Sequence, residues 1–268
     1  MKDFFMLCCF VFAISSCTVQ ERIIFDSNMG GTYESSFDLS SMLAMAAANS
    51  PKSDERKQEK VDTLIVFNDI LEQMKDSIAT LSPEKRAELE KMRDMTIHMV
   101  MDDAEEVFRF TANKTFEEFS EIEYVSYQMD EVFKQVKQQN ASTQAGGPGG
   151  DMMKTDKVRY TFENNIFRRV DPKVLAKEER LEEDIIDETE EEEAAEDSMM
   201  KGMMAEFDDM LAESQMSLQY TFPKKIKSVS NKDAVISADG KTVTYKVDWK
   251  TLMENKDLLK NFEVTLEE

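Results

Sequence analysis

The chain has 268 residues, and 41% of them are hydrophobic, which is enough for a real core in one large domain or two small ones. Its formal net charge of −22 excludes nucleic-acid binding through the overall electric field, because phosphates would be repelled. The same charge repels anionic lipid headgroups, so attachment to a membrane needs an anchor.

The N-terminal stretch has the organisation of a signal peptide. The apolar run Phe4–Ile14 has eleven residues, and as a helix it would be far shorter than the roughly 30 Å hydrocarbon core of a bilayer. Lys2 precedes it, although Asp3 leaves this region only weakly cationic. We therefore predict a signal peptide over residues 1–16 rather than a spanning helix.

The run ends in Ile14-Ser-Ser-Cys17, which resembles a bacterial lipobox. This motif predicts cleavage before Cys17 and lipidation of its thiol, with palmitate among the acyl chains, which together make a permanent membrane anchor. The alternative is an ordinary secretory signal with a chance cysteine. Since Cys8 and Cys9 belong to the signal, the mature chain would have no disulfide.

The N-terminal region also predicts where in the cell the protein is located. No later run of eighteen apolar residues occurs, so we expect attachment through lipidated Cys17 alone. The residues after it, Thr18–Arg22, contain no acidic run. On this basis we predict a cell-envelope protein at the periplasmic face of the outer membrane.

The first elements after the cysteine predict a hairpin, then helices. Strands Glu21–Asp26 and Thr32–Leu39 flank Asn28, Gly30 and Gly31, three residues that tolerate positive φ. The following segments are predicted as a short helix at Ser40–Ala48, a loop at Asn49–Lys60, a helix at Val61–Leu81, and a helix ending near Arg93 with Ser82 as N-cap and Pro83 in its first position.

The middle of the chain predicts a second hairpin with strands Met95–Met101 and Val107–Ala112 around an acidic turn. The only histidine, His98, lies on the strand face opposite the methionines, which favours a solvated residue over a ligand or base. Phe116–Val136 has the pattern of an amphipathic helix. A linker, Gln138–Gly150, separates it from a third hairpin at Lys157–Phe162 and Ile166–Val170.

Lys177–Asp197 contains thirteen acidic residues. A self-repelling, solvated excursion is favoured over a calcium or basic-partner site, because the ligand spacing and central glycine of an EF-hand are missing. In Ser198–Met216, clustered methionines raise the alternative of a copper(I) site. Packing, or an adaptable apolar surface, is favoured there because no cysteine or histidine lies nearby.

The C-terminal part is predicted to be mostly β-structure. Leu218, Tyr220 and Phe222 alternate in a strand that leads to the basic patch Lys224, Lys225, Lys227 and Lys232, which would offset the acidic excursion. The remaining elements are a hairpin of Ala234–Ser237 and Thr242–Asp248 around Asp239-Gly240, a short helix at Trp249–Asn255, and a last strand through Phe262, Val264 and Leu266.

Together these elements predict an α+β fold, in which several β-hairpins form one antiparallel sheet and amphipathic helices pack on one face. Residues 17–176 and 198–268 would build the same domain, with 177–197 as the acidic excursion. If the helices pack loosely, apolar side chains would line a cavity for a hydrophobic ligand. The residues of this candidate face are Phe116, Phe119, Val132, Phe133, Met199, Met203, Phe207, Met210 and Leu211.

The lipobox, the Gly-Gly hairpin at Ser27–Thr32, the helix start at Leu81–Glu84 and the ending Tyr220–Pro223 with Ser237–Tyr245 resemble uncharacterised envelope lipoproteins of Bacteroidota. The first hairpin and the ending also remotely resemble the LppM-type lipoprotein domain. That resemblance implies binding of lipid or glycolipid. The shared patterns are turns and strands, so they transfer no catalytic residue.

The sequence favours a non-enzymatic envelope lipoprotein with a binding or structural role, without a cofactor or resident metal. The nucleophile-elbow, zinc-protease and P-loop motifs are missing, and a catalytic triad would have to use His98. A two-carboxylate glycosidase stays open, although a single tryptophan leaves few platforms for sugars. The alternatives are a lipid-binding protein with an apolar cavity and a methionine-rich copper-handling protein; expected partners are the membrane and an envelope lipid or protein.

Overall fold

The computed structural model describes residues 18–41, 60–129, 157–180 and 214–268. Within these ranges the chain forms one sheet of eight strands and one of four. The larger sheet contains β1 (Thr18–Phe25), β2 (Gly31–Asp38), β3 (Lys60–Val66), β4 (Met95–Asp102), β5 (Val107–Phe116), β8 (Gln215–Thr221), β10 (Val235–Ile236) and β11 (Thr242–Asp248). The smaller sheet contains β6 (Arg159–Glu163), β7 (Ile166–Val170), β9 (Ile226–Val229) and β12 (Asn261–Leu266).

The described helices are short. They are α1 (Phe67–Gln73), α2 (Lys75–Ala79), α3 (Pro83–Glu90), α4 (Pro172–Arg180) and α5 (Trp249–Glu254), with 3-10 turns at Phe119–Glu121 and Lys256–Leu259. Residues 125–129 are also helical.

The larger sheet has the order β10-β11-β8-β1-β2-β5-β4-β3, with β1 near its centre. Strand β1 pairs antiparallel with β2 and parallel with β8, so residues far apart in the chain become neighbours. Thr18, Asp38, Gln215 and Asp248 lie side by side at one end of this sheet, which we call the Thr18 end. The opposite end, where Gly31 pairs with Phe25, is the Gly31 end.

The first hairpin is closed by a side chain. Both the Asn28 and Gly30 amides donate to the Asp26 carboxylate, at 2.7 and 3.0 Å. The positive φ values fall on Met29 (64°) and on Gly31 (150°), which is one of the three residues predicted to tolerate them. Asp26 therefore replaces part of the backbone hydrogen bonding that defines the turn.

The two sheets pack face to face around aromatic side chains. The ring of Phe25 lies 5.3 Å from that of Phe222 and 5.5 Å from that of Phe167, measured between centroids. Phe167 also contacts the ring of Tyr220 at 4.9 Å. Strands alternate buried and more exposed residues because successive side chains point to opposite faces, and here the buried faces meet.

The broad prediction of an α+β fold with many antiparallel strands is confirmed. The prediction of one sheet covered by amphipathic helices was too simple, because a second sheet covers the larger one and the helices are few and not clearly amphipathic. The β1–β8 pair is moreover parallel.

Two helix predictions were wrong in part. Of the helix predicted over Val61–Leu81, only the segments α1 and α2 are helical. The segment Lys60–Val66 is strand β3, consistent with the strand preference of its branched side chains. Phe116 ends strand β5 rather than starting a helix, and a 3-10 turn at Phe119–Glu121 precedes the helical residues 125–129. The phenylalanine spacing matched a helical period, but the strand pairing of β5 with β2 prevailed.

The local turn and cap predictions are confirmed elsewhere. The four predicted hairpins occur as β1–β2, β4–β5, β6–β7 and β10–β11. The Ser82 side chain caps α3, with Pro83 at its start. Asn164 and Asn165 take φ of 53° and 62°, the conformation of a two-residue hairpin turn.

Candidate functional site

The Thr18 end of the larger sheet is the part of the fold nearest to Cys17. Thr18 is the first residue of β1, so no residue separates Cys17 from a central strand. Adjacent α-carbons are about 3.8 Å apart. Cys17 is therefore bonded directly to the first residue of a central strand at this end of the sheet.

Side chains at the Thr18 end pair with or cap their neighbours. The Asp38 carboxylate accepts from the Arg109 guanidinium at 3.0 Å, and the Asp102 carboxylate accepts from the Lys60 ammonium at 2.7 Å. Hydrogen bonding to Lys60 lowers the pKa of Asp102. Three acidic residues after Asp102, at positions 103, 105 and 106, make the β4–β5 turn at this end strongly negative.

The short helix α5 also begins at the Thr18 end. The Asp248 carboxylate accepts from the Thr251 amide at 2.7 Å, and this N-cap bond lowers the pKa of Asp248. The Trp249 amide donates to the Ser214 carbonyl at 3.0 Å, which ties α5 to the start of β8. Trp249 is half-buried against the core.

A buried polar cluster lies between the two sheets. The Glu21 carboxylate on β1 accepts from the Arg169 guanidinium of β7 at 3.2 Å and from the Tyr220 hydroxyl of β8. Arg169 donates a further hydrogen bond to the Leu259 carbonyl at 2.7 Å. The side chains of Glu21 and Arg169 are 7% and 2% exposed. Each charge is thus satisfied inside the protein, as buried charges require.

Three tyrosines in this region are fully buried. Burial is the main cause that raises the pKa of Tyr33, Tyr160 and Tyr220, and the negative charge of Glu21 adds to it. The positive charge of Arg169 opposes the shift in all three. Both carboxylate oxygens of Glu21 accept hydrogen bonds, and the side chain is shielded from solvent. The cluster therefore connects the two sheets, which suits a structural role for Glu21.

A second buried charge fixes the connection between α3 and the sheet. The Lys114 ammonium on β5 donates to the carbonyls of Lys91 and Arg93 at 2.7 and 3.0 Å. Burial lowers the pKa of Lys114, and Glu121, 3.9 Å away, opposes that shift. The lysine stabilises the carbonyls that follow the last turn of α3.

The residues predicted for a hydrophobic ligand face are only partly described. Phe116 is 3% exposed and belongs to the packed core. Phe119 is partly buried and packs against that core, with its ring 6.0 Å from those of Phe25 and Phe162. Those outside the described residues are Val132, Phe133, Met199, Met203, Phe207, Met210 and Leu211, together with Cys17. The ligand face, the copper alternative and the lipidation of Cys17 therefore stay predictions.

His98 lies on the exposed face of β4, as the alternation of side chains along the strand predicts. Its side chain is 46% exposed, and its Nε2 atom lies 2.8 Å from the Asp62 carboxylate of β3. Among the described residues, no group of three His, Cys, Asp or Glu side chains could hold a metal ion. None of the helices in the described ranges is long and apolar enough to cross a membrane.

Sequence reasoning missed Glu21, Arg169 and Lys114. The alternation of side chains along β1 could have indicated Glu21, because it occupies the same strand face as the apolar residues Val19 and Ile23. A charged residue on a buried face predicts a buried partner of opposite charge. The identity of that partner was out of reach, since Glu21 and Arg169 are 148 positions apart.

No protein-family model and no curated protein matches the chain. A solved structure similar to it is the NMR structure of the folded domain of LppM from Mycobacterium tuberculosis. The alignment covers 94% of this chain and 89% of that one, with 8% identity and a TM-score of 0.36. This is a remote fold resemblance, and at that TM-score it carries no argument about function.

Proposed function

We propose that the chain is a bacterial cell-envelope lipoprotein, anchored by acyl chains on Cys17, whose folded part has a non-enzymatic binding or structural role. The observation that carries the proposal is the direct junction between the lipobox and the fold. The motif Ile14-Ser-Ser-Cys17 is followed at once by Thr18, the first residue of a central strand. A chain cleaved before Cys17 would lose the apolar signal and keep the whole described fold.

The packing of the described core favours a protein that binds its partner on the outer surface over one with a ligand cavity between the sheets. Aromatic rings at 4.9 to 5.5 Å and the Glu21–Arg169 pair fill the space that a hydrophobic ligand would need there. We therefore place the binding role on the outside of the domain, with an envelope lipid or protein as partner. The expected location is the periplasmic face of the outer membrane.

The test is metabolic labelling of the full chain in a bacterium with an alkyne analogue of palmitate. We expect label on the wild-type protein and none on Cys17→Ala, because Cys17 is the only cysteine outside the cleaved signal and its thiol is the group that would bond to the lipid. The matched controls are Cys8→Ala and Cys9→Ala, which change the same signal region and should leave labelling intact. Equal labelling of Cys17→Ala, or loss of label in the controls alone, would refute the assignment of the anchor.

A further inference from the structure

The Thr18 end of the larger sheet contains the only tryptophan of the chain. Thr18 is in register with Gln215, Gln215 is in register with Asp248, and Trp249 follows directly. Two strand spacings of about 4.8 Å separate the three strands, so Trp249 lies roughly 10 Å from the start of β1. The Gly31 end lies about 26 Å away along the eight residues of β1.

We propose that helix α5, through Trp249, contacts the bilayer interface beside the lipidated Cys17 and sets the orientation of the domain on the membrane. This inference rests on the proposed lipid anchor. Without a linker after Cys17, the start of β1 must lie at the headgroup level, and α5 is close enough to reach the same level. The occupant is the interfacial region of the lipid bilayer.

The chemistry of Trp249 suits that environment. An indole has a large apolar surface and one N–H donor, and tryptophan is accordingly enriched at membrane–water interfaces. Trp249 is half-buried, so part of the ring packs on the core and part remains accessible. The carboxylate of the preceding residue, Asp248, accepts hydrogen bonds from both the amide and the hydroxyl of Thr251, at 2.7 and 2.8 Å.

The Thr18 end differs in charge between the side of β1 that has α5 and the opposite side. There, beyond β2, the β4–β5 turn contains Asp103, Glu105 and Glu106. Carboxylates are costly to bring into an interface, and anionic headgroups repel them. The two sides of β1 therefore differ in their affinity for lipid, and the domain is expected to lean toward α5.

The single tryptophan makes the contact measurable. The full-length lipidated protein would be reconstituted in phosphatidylcholine vesicles, with and without bromine atoms on the acyl chains near the headgroups. We expect bromine to quench the emission of Trp249, and membrane insertion to shift the emission to shorter wavelength. The matched control is Trp249→Phe combined with Lys241→Trp, which moves the tryptophan to the Gly31 end, where residue 241 is exposed.

Flotation of the same vesicles tests the lipid anchor separately from the contact of Trp249 with the bilayer. A protein that floats with the vesicles and shows quenching of Trp249, but no quenching at position 241, supports the proposed contact. Floating without quenching of Trp249, or with equal quenching at both positions, overturns the contact and leaves the anchor intact. Failure to float overturns the anchor, and with it the contact.

Discussion

Glu21 and Arg169 are the residues that most directly connect the two sheets. They come from strands of different sheets, and the Leu259 carbonyl and Tyr220 hydroxyl complete their hydrogen bonds. A buried ion pair is not strongly stabilising compared with apolar residues of equal volume, because both charges must leave water. Loss of a single partner is much more costly, since the remaining charge stays buried and unpaired.

A double-mutant cycle tests this account at the residue scale. We expect Glu21→Leu or Arg169→Met alone to lower the free energy of unfolding by about 3–5 kcal/mol, because each leaves one buried charge. The double variant should be clearly more stable than the sum of the two losses predicts. It should still be less stable than wild type by about 1–3 kcal/mol, because the Tyr220 hydroxyl loses its acceptor. Urea unfolding of the four proteins measures the coupling, and additive losses would contradict it.

Two glycines with positive φ allow a matched comparison. A β-carbon at Gly31 would lie 1.9 Å from the Ile24 carbonyl oxygen, whereas at Gly240 the nearest atom beyond the adjacent residues belongs to the Lys225 side chain, at 3.6 Å. We expect Gly31→Ala to lower the free energy of unfolding by about 3–5 kcal/mol, through overpacking and backbone strain together. Gly240→Ala should cost only the backbone strain, about 1–2 kcal/mol. Equal losses in thermal or urea unfolding would show that packing at Gly31 is not the cause.

At the scale of elements, the sequence predicts what is decided locally. The hairpins around Asn164-Asn165 and Asp239-Gly240 were predictable because their turn residues accept positive φ, with Gly240 at 75°. The start of α3 was predictable because Ser82 and Pro83 are a cap and a first-turn residue. Each of these signals lies within a few residues of the feature it determines.

Other elements depend on distant partners and were mispredicted or missed. The segment Lys60–Val66 becomes a strand by pairing with β4, 30 to 42 positions away. The division into two sheets, and the parallel pairing of β1 with β8, arise from contacts across about 200 positions, such as Thr18 with Gln215. Of the candidate site, the role of Cys17 stays a prediction from its motif, whereas the place of Trp249 at the Thr18 end required the strand order.

At the scale of the whole molecule, the fold gives its two ends different properties. The Thr18 end contains the junction to Cys17, helix α5 and the acidic β4–β5 turn. Lys224 is near the other end, where it donates to Asn165 at 3.1 Å. Helix α4 follows β7 closely and ends at Arg180, the last described residue before the gap. The described part of the chain resumes at Ser214, whose carbonyl accepts a hydrogen bond from the Trp249 amide.

The buried tyrosines link the stability of the whole molecule to alkaline pH. The folded-state pKa values of Tyr33, Tyr160 and Tyr220 are raised above the value of about 10 that tyrosine has in an unfolded chain. The stability contribution of their neutral form is therefore complete below pH 10. Above it, the unfolded chain releases protons that the fold retains, so the free energy of unfolding falls as pH rises.

This linkage predicts that the three tyrosines ionise only as the fold is lost. In a pH titration we expect tyrosinate absorbance to rise in a cooperative step above pH 10, at the same pH at which the near-ultraviolet circular dichroism of the packed aromatic core disappears. In urea, where no fold protects them, all six tyrosines of the chain should titrate together near pH 10. Tyr220→Phe should reduce the amplitude of the cooperative step, because one buried hydroxyl is removed. A gradual rise to the full absorbance of the unfolded chain, with the circular dichroism unchanged, would mean that water reaches these three hydroxyls in the folded protein. The two sheets would then not seal the buried polar cluster around Glu21.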